Sequence, residues 1–407
     1  MQAIARISPA VSSVSLPERP QLTSLPIERL AGDSELRAQW RALIASQWQP
    51  YRLYQSPEWF DHVLGTRREQ LLAPQAWSDG KHLLGLALPY LKNHVLPFEV
   101  RQYPFYQCRL RTIAFLGAEP LFPCDPTIYD ALFSKTLAES PEADGFYLHS
   151  VPTEGFLWQH LHDSRWVEQN LLLYMPHKVR RFDALELPSS FEEYLAAQFR
   201  KKKRYNLKRQ LRLLEEHANG SLELRRIEHP GDVGWFASAA GRVAQRSWQA
   251  RWLIPDTFES LRRPAWMEDL ARRGMLRSYV MLCGGSPCAM VLGYQHGDTF
   301  HYSETSYDES FAKFSPGSVL MYLMIADLTE HRRPRWVSFG AGESRYKQEF
   351  SNRSWNDASI LLLRRNRRGL AIRTAHGLFR GAIDIAKDCR DRLRRPPQQE
   401  SSDAADE

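Results

Sequence analysis

The stretch HYSETSYDESFAKFSPGSVLMYLMIADL, residues 301–328, decides the reading of this chain. It begins with a strand, passes through a short loop and continues as a helix. Ser315 is a good N-cap residue, and Pro316 stands where the first helical residue belongs. Gly317 removes the next side chain, so a ligand can approach the backbone there. Val319, Leu320, Leu323, Met324 and Leu328 then recur at helical spacing on one face. Unbonded N–H groups and the positive dipole end make such a helix start favourable for phosphate. An ordinary capped core helix would show the same residues, so the flanking chain has to decide between the two.

Upstream of this stretch lies a three-strand meander. SYVMLC, the turn GGSP, CAMVLGYQ, the turn HGD and TFHYSETSY alternate as antiparallel strands do. Ahead of the meander come a short strand, SLELRRI, and two helices, PGDVGWFASAAGRVAQRSW and residues 256–273. Downstream of the helix RWVSFG reads as a strand, and ASILLLR as another. This unit opens at Pro188, where Ser190 followed by Glu193 forms a capping box. The helix it starts is expected to run on through RKKKRYNLKRQLR, with Leu207, Leu211 and Leu214 on its apolar face.

The first half is patterned differently but alternates strands and helices as well. SELRAQWRALIASQW and SPEWFDHVLG read as serine-capped helices. LLAPQAW and HLLGLALPYL flank a turn at Ser78-Asp79-Gly80-Lys81 and read as a hairpin. RTIAFLGA and DGFYLHSV read as strands, with an Asp125-capped helix between them, and RWVEQNLLLYMP as a further strand. The expected organisation is a loose tail over residues 1–21, an N-terminal domain over 22–187 and a C-terminal domain over 188–365. A basic helical extension over 366–395 and an acidic disordered tail over 396–407 complete it. The fold class is mixed, α+β (α/β), in two domains.

Bulk composition sets broad limits. The chain has 407 residues, of which 43% are hydrophobic and 12% aromatic, enough for real cores. A formal net charge of +7 suits an anionic partner without naming it. The five cysteines form no CxxC pair and no metal-ligand spacing, so no metal is expected, and the thiols suggest a reducing compartment. With no signal-peptide core and no long apolar run, a soluble cytoplasmic protein is the expectation. GxxxxGK[ST], HExxH and GxSxG are absent, which removes the main support for nucleotide hydrolase, zinc protease and serine hydrolase readings.

The order strand, two helices, meander, capped helix, strand resembles the GNAT superfamily of acyl-CoA N-acyltransferases. More narrowly, the chain resembles the CelD-like acetyltransferase branch, related to the Fem-type peptidyltransferases. The matching pieces are RKKKRYNLKR, GSPCA at residues 285–289, SPGSVL before the central helix, and FGAGESRYKQEF, where Gly340, Gly342, Tyr346 and Lys347 fill the expected segment. The resemblance spans roughly residues 190–365, and the first half resembles a degenerate second copy, making two tandem GNAT-like domains. It implies acetyl-CoA or another acyl-CoA as donor, an amine as acceptor, and a splay between the last meander strand and the helix that follows it. The pyrophosphate of coenzyme A would sit at Ser315, Pro316, Gly317 and Ser318, beside Ser306. The glycine-rich phosphate loop usual in the superfamily is reduced here to Pro316-Gly317.

Transfer of an acyl group from a thioester to an amine needs positioned reactants, a neutral amine and a stabilised oxyanion. Glu304 and Glu343 are candidate general bases, or else an ion-paired residue and an exposed loop acid. Tyr346 is a candidate proton donor to the leaving thiolate, or a packing aromatic. Lys347 would meet a phosphate or carboxylate. Residues 200–212 place eight basic side chains together, Arg200, Lys203 and Arg204 among them, and no acid. They form a solvated helix face, reach coenzyme A or an anionic acceptor, or bind RNA. The last is disfavoured because Tyr205 is the only aromatic among them. Trp248, Trp252, Trp266, Tyr302, Trp336 and Trp355 crowd this half and would stack on an amino sugar or polysaccharide precursor, or fill a core. Two other functions stay open: a Fem-type aminoacyl or peptidyl transferase using aminoacyl-tRNA, and a non-catalytic scaffold on the same fold. Neither the acceptor nor the oligomeric state is legible.

Overall fold

In the computed structural model the described residues are 19–46, 52–100, 103–117, 119–251, 258–342 and 344–394. A small antiparallel sheet, β1 (Gln21–Ser24), β2 (Gln75–Ser78) and β3 (Leu83–Ala87), carries α1 (Ile27–Gly32), α2 (Ser34–Ser46) and α3 (Pro57–Arg67). The cap of α2 is Asp33, whose carboxylate accepts from the Glu35 and Leu36 N–H groups, rather than Ser34. The Ser56 hydroxyl caps α3 as expected.

β4 (Pro89–Val100) and β5 (Tyr103–Phe115) form a long hairpin. The Asp125-capped helix α4 (Pro126–Ala138) then crosses over to β6 (Gly145–Pro152), which is parallel to β5. α5 (Phe156–Asp163) follows. Residues 165–170, expected as strand, form α6 (Arg165–Asn170), because the Ser164 hydroxyl accepts from the Val167 N–H and starts a helical turn. Only β7 (Leu171–Tyr174) of that segment is extended, and β8 (Arg180–Glu186) ends the first half.

The second half opens with α7 (Phe191–Gln198) and α8 (Lys201–His217). These are two helices, not the single one expected, since Phe199 and Arg200 are both extended. The Glu193 carboxylate accepts from Ser189 while Ser190 caps the Glu193 N–H, so the helix start is fixed independently of α8. Then come β9 (Leu222–Ile227), α9 (Val233–Gln245), α10 (Trp248–Arg251) and α11 (Pro264–Arg272). α11 is shorter than expected: residues 259–262 make a 3₁₀ turn, and Trp252 through Thr257 lie outside the described residues. The meander is β10 (Ser278–Cys283), β11 (Ser286–His296) and β12 (Thr299–Tyr307), followed by α12 (Pro316–Glu330) and β13 (Trp336–Ala341). α13 (Arg345–Phe350), β14 (Arg353–Arg364) and α14 (Arg367–Arg394) complete the described chain.

One large mixed sheet runs through both halves in the order β4-β5-β6-β14-β8-β13-β12-β11-β10-β9, with β7 also on β14. The expected domain boundary at 187/188 is crossed by four strand pairings: β8 pairs β13, and β14 pairs β6, β7 and β8. Around β10–β12 alternate residues feed two cores. Tyr279, Met281 and Val291 pack with α8 and α12, whereas Val280, Leu282 and Met290 pack with α9 and α11. The halves also repeat a motif. An antiparallel pair precedes a helical crossover to a parallel strand in β4-β5-α4-β6 and again in β11-β12-α12-β13. The architecture is thus a mixed α/β fold built of two like units.

Candidate active site

β12 and β13 pair only at Thr299–Trp336, Phe300–Val337 and His301–Ser338. β12 continues to Tyr307 and β13 to Ala341 without pairing further, which opens a fork. Backbone N–H groups on the β12 edge past His301 have no strand opposite them among the described residues. The corresponding strands of the first half diverge in the same way, β5 and β6 pairing only at Thr112–Gly145 and Ile113–Phe146.

α12 starts beside the first fork. Pro316 is its first residue, and a Cβ on Gly317 would meet only Tyr307 Cδ1, at 3.6 Å. No tight protein contact therefore demands a glycine there, and the backbone is left open to a ligand. Ser315 departs from its expected role as a side-chain cap. Its φ of 53° ends the preceding 3₁₀ turn in the left-handed region, and its hydroxyl accepts from Gln210 Nε2 at 3.0 Å instead. Its carbonyl still accepts from the Ser318 and Val319 N–H groups.

A β-bulge determines what β12 shows to the fork. Opposite Leu292 and Gly293 the register shifts at Ser303. His301, Glu304 and Ser306 consequently pair with Tyr294, Leu292 and Met290, all members of the α9–α11 core. Simple alternation would have put Glu304 on the α12 face with Phe300 and Tyr302. His301 Nε2, Glu304 Oε2 and Ser306 Oγ are each buried without a hydrogen-bond partner among the described residues. Buried polar atoms are rarely left this way unless something else supplies the bond. Burial raises the Glu304 pKa, and the Glu259 charge adds to this against hydrogen bonds from Ser260. Burial pushes His301 down to about 3, so its imidazole is neutral at ordinary pH.

Below the fork lies a cavity of about 520 Å³, lined by both halves. His301, Tyr302, Gly340 and Lys347 come from the second half; Arg67, Lys92, Phe115 and His149 come from the first. Tyr54, Trp59 and Trp266 supply an aromatic wall. The cavity touches both forks, since Phe115 ends β5 and His149 lies near the end of β6. Ser150, at φ 55°, turns the chain there, and its hydroxyl lies 2.9 Å from His149 Nδ1.

The sequence-derived residues are distributed unevenly around this site. Lys347 lines the cavity and donates to the Ala341 carbonyl at 3.0 Å. Tyr346 stands behind it: its hydroxyl bonds to that of Tyr302, and burial raises its pKa to about 12. Tyr302 and Trp266, two of the aromatics read from sequence as sugar-stacking or core residues, both reach the cavity. Lys203 is engaged by Glu349 at 2.9 Å, and Arg200 is exposed just before α8. Arg204 is half-buried on α8, and Trp248 is 42% exposed at the start of α10; neither lines the cavity. Glu343 lies outside the described residues. Among the described residues no group of three or more potential metal ligands occurs, and no helix is long and apolar enough to cross a membrane.

Residues 201–348 match the family model of the acetyltransferase (GNAT) domain. Among solved structures, FemX superposes with a TM-score of 0.54 at 11% identity, over 84% of this chain and 97% of that one. A conserved protein from Bacteroides thetaiotaomicron gives 0.49 at 10% identity, over 85% and 100% of the two chains. A tandem GNAT protein from the clavulanic acid biosynthesis pathway gives 0.48 at 11% identity, over 85% and 98%. The last two are too distant in shape to argue from. No curated protein matches the sequence. The forked strands, the helix that follows and the match over residues 201–348 identify a domain of the GNAT acyltransferase fold in the C-terminal half.

Proposed function

We propose that this protein transfers an acyl group, most simply acetyl, from coenzyme A to an amine borne by an amino sugar or polysaccharide precursor. The observation that carries the reading is the fork between β12 and β13, with an open helix start on one side and a shared cavity on the other. The pyrophosphate would lie at Pro316, Gly317 and Ser318, where a Cβ-free position and the helix dipole favour an anion. The pantetheine arm would extend into the fork and take up the backbone groups of β12 that β13 leaves free. The thioester carbonyl would then lie along that edge, where N–H groups stabilise the oxyanion.

Glu304 is the base in this scheme. Its raised pKa makes the carboxylate a better proton acceptor than an exposed glutamate, and its free oxygen points to the face His301 shares. It would take a proton from the attacking ammonium, directly or through one water. The amine then adds to the carbonyl carbon, the C–S bond breaks, and the second proton lost by the nitrogen passes to the thiolate. Tyr302, which lines the cavity and whose hydroxyl pairs with that of Tyr346 behind it, would relay that proton. Acetyl-CoA with glucosamine-type amines, followed by release of free thiol, tests the reaction. The scheme expects turnover in the wild type and a fall of about 10²-fold in kcat for Glu304→Gln. Thiol release from no amine, or undiminished release in the variant, contradicts it.

A further inference from the structure

Charge is distributed in the cavity in a way the acyl-transfer scheme does not require. Arg67, Lys92 and Lys347 line it, and no aspartate or glutamate does among the described residues. Arg180 lies close by, its guanidinium donating to Ser359 Oγ at 3.2 Å. None of these four cations makes a salt bridge among the described residues, although arginines elsewhere in the chain repeatedly do. Arg67 acts on Lys92 and Arg180 on Lys347, while Lys92 also lies over the Tyr147 ring, 5.2 Å from its centroid. Burial lowers the Lys92 pKa and Arg67 lowers it further; burial also lowers that of Lys347, with Arg180 adding and Asp183 opposing. His149, brought to about 4 by its crowded surroundings, feels Arg180 and Lys92 as well. Like charges gathered at a low-dielectric cavity destabilise the empty protein unless an anion neutralises them. His301 adds an independent sign of a ligand. It is 5% exposed, lines the same cavity, and its Nε2 has no partner among the described residues.

From these residues the geometry points to a phosphate-binding subsite for the acceptor, formed by Arg67 and Lys92 with Lys347 beyond them. The acceptor is then a phosphorylated amine, with its phosphate in the first half and its amino group towards His301 and the fork. The aromatic wall of Tyr54, Trp59 and Trp266 suits the face of a sugar or other ring between the two ends. The phosphates of coenzyme A are the other source of the same chemistry. They are assigned elsewhere, because α12 packs on the opposite face of β12 from His301 and Glu304. Arg67 and Lys92 belong to α3 and β4, in the first half of the chain. This inference rests on the acyltransferase reading for the identity of the ligand, but its measurement stands apart from acetyl-CoA binding.

The test uses the full chain, wild type and Lys92→Gln with Arg67→Gln, against glucosamine 6-phosphate, glucosamine and acetyl-CoA. Calorimetric titration of the wild type should show binding of the phosphate ester at least 10-fold tighter than glucosamine, weakening as salt rises. The double variant should lose that preference, retain its acetyl-CoA affinity, and unfold at the same or a higher temperature, since two repelling charges are gone. Equal binding of ester and amine by the wild type overturns the subsite. So does an unchanged preference in the variant. If acetyl-CoA affinity falls with the phosphate ester, the cations serve the donor and the acceptor assignment is wrong. If acetyl-CoA never binds while the ester does, the phosphate subsite stands and the acyltransferase reading fails.

Discussion

Glu304 shows how far a single residue's role depends on one extra residue beside it. Read by alternation, it belongs with Phe300 and Tyr302; the bulge at Ser303 moves it to the face of His301. A sequence carries no clear sign of such a shift, so Glu304 was legible as a candidate but its surroundings were not. Those surroundings predict a pH signature. Burial raises the Glu304 pKa, so the folded chain keeps this proton to higher pH than the unfolded chain does. The contribution to stability is therefore intact below the ordinary glutamate range and declines as pH rises through the raised value. Glu304→Gln should match the wild-type melting temperature near about pH 4 and exceed it increasingly towards about pH 8. Thermal denaturation across that range checks this; a variant less stable at high pH than at low, relative to wild type, would contradict it. The cavity residues His149, Lys92 and Arg67 were invisible for a different reason. They lie on β6, β4 and α3, far from residues 301–328 in the chain, and only long-range strand pairing brings them there.

At the scale of elements, the meander and α12 were readable because each satisfies its own local pattern. Their mutual placement rests on a buried arginine that no periodicity reveals. Arg277, fully buried ahead of β10, donates to Tyr279 Oη at 2.7 Å, Gln295 Oε1 at 2.6 Å and Asp327 Oδ2 at 2.9 Å. It also takes the carbonyls of His331 and Arg332, just past the end of α12. The network thus fixes the C-terminal end of α12 to β10 and β11, and so holds its N-terminal end at the fork. Burial alone would raise the Asp327 pKa, but hydrogen bonds from Arg277 and Tyr279 and the nearby Arg226 hold it below the usual aspartate value. Arg277→Met should destabilise by about 2–4 kcal/mol, because it leaves Gln295 Oε1 and the His331 carbonyl without this donor, although Arg226 and Tyr279 still pair with Asp327. Denaturant unfolding measures this. A loss under about 1 kcal/mol would mean that water replaces the network and α12 is held by its apolar face alone.

For the whole molecule, the two-unit organisation was legible, while the way the units share strands was not. β8 serves the second half and β14 serves the first, so each half lacks an interior strand without the other. β14 residues Ile360–Leu363 are fully buried, and their run of apolar side chains looked like an ordinary last strand. Residues 188–394 produced alone should accordingly fail to show a cooperative thermal transition, and co-production with residues 1–187 should restore one. A cooperative transition in the isolated piece would contradict the shared sheet. The same sharing forms one cavity between two forks and leaves the α12 start open on the opposite side of β12. The central claim, that this open start receives coenzyme A, is tested most directly by calorimetric titration of acetyl-CoA into the full chain and its Gly317→Ala and Gly317→Glu variants. A Cβ at this position meets only Tyr307 at 3.6 Å, so both variants should fold. The account predicts binding by the wild type, little change in Gly317→Ala, and loss of about 100-fold or more in Gly317→Glu, where a carboxylate meets the phosphate. Wild-type affinity in Gly317→Glu, or no binding by the wild type, would contradict it.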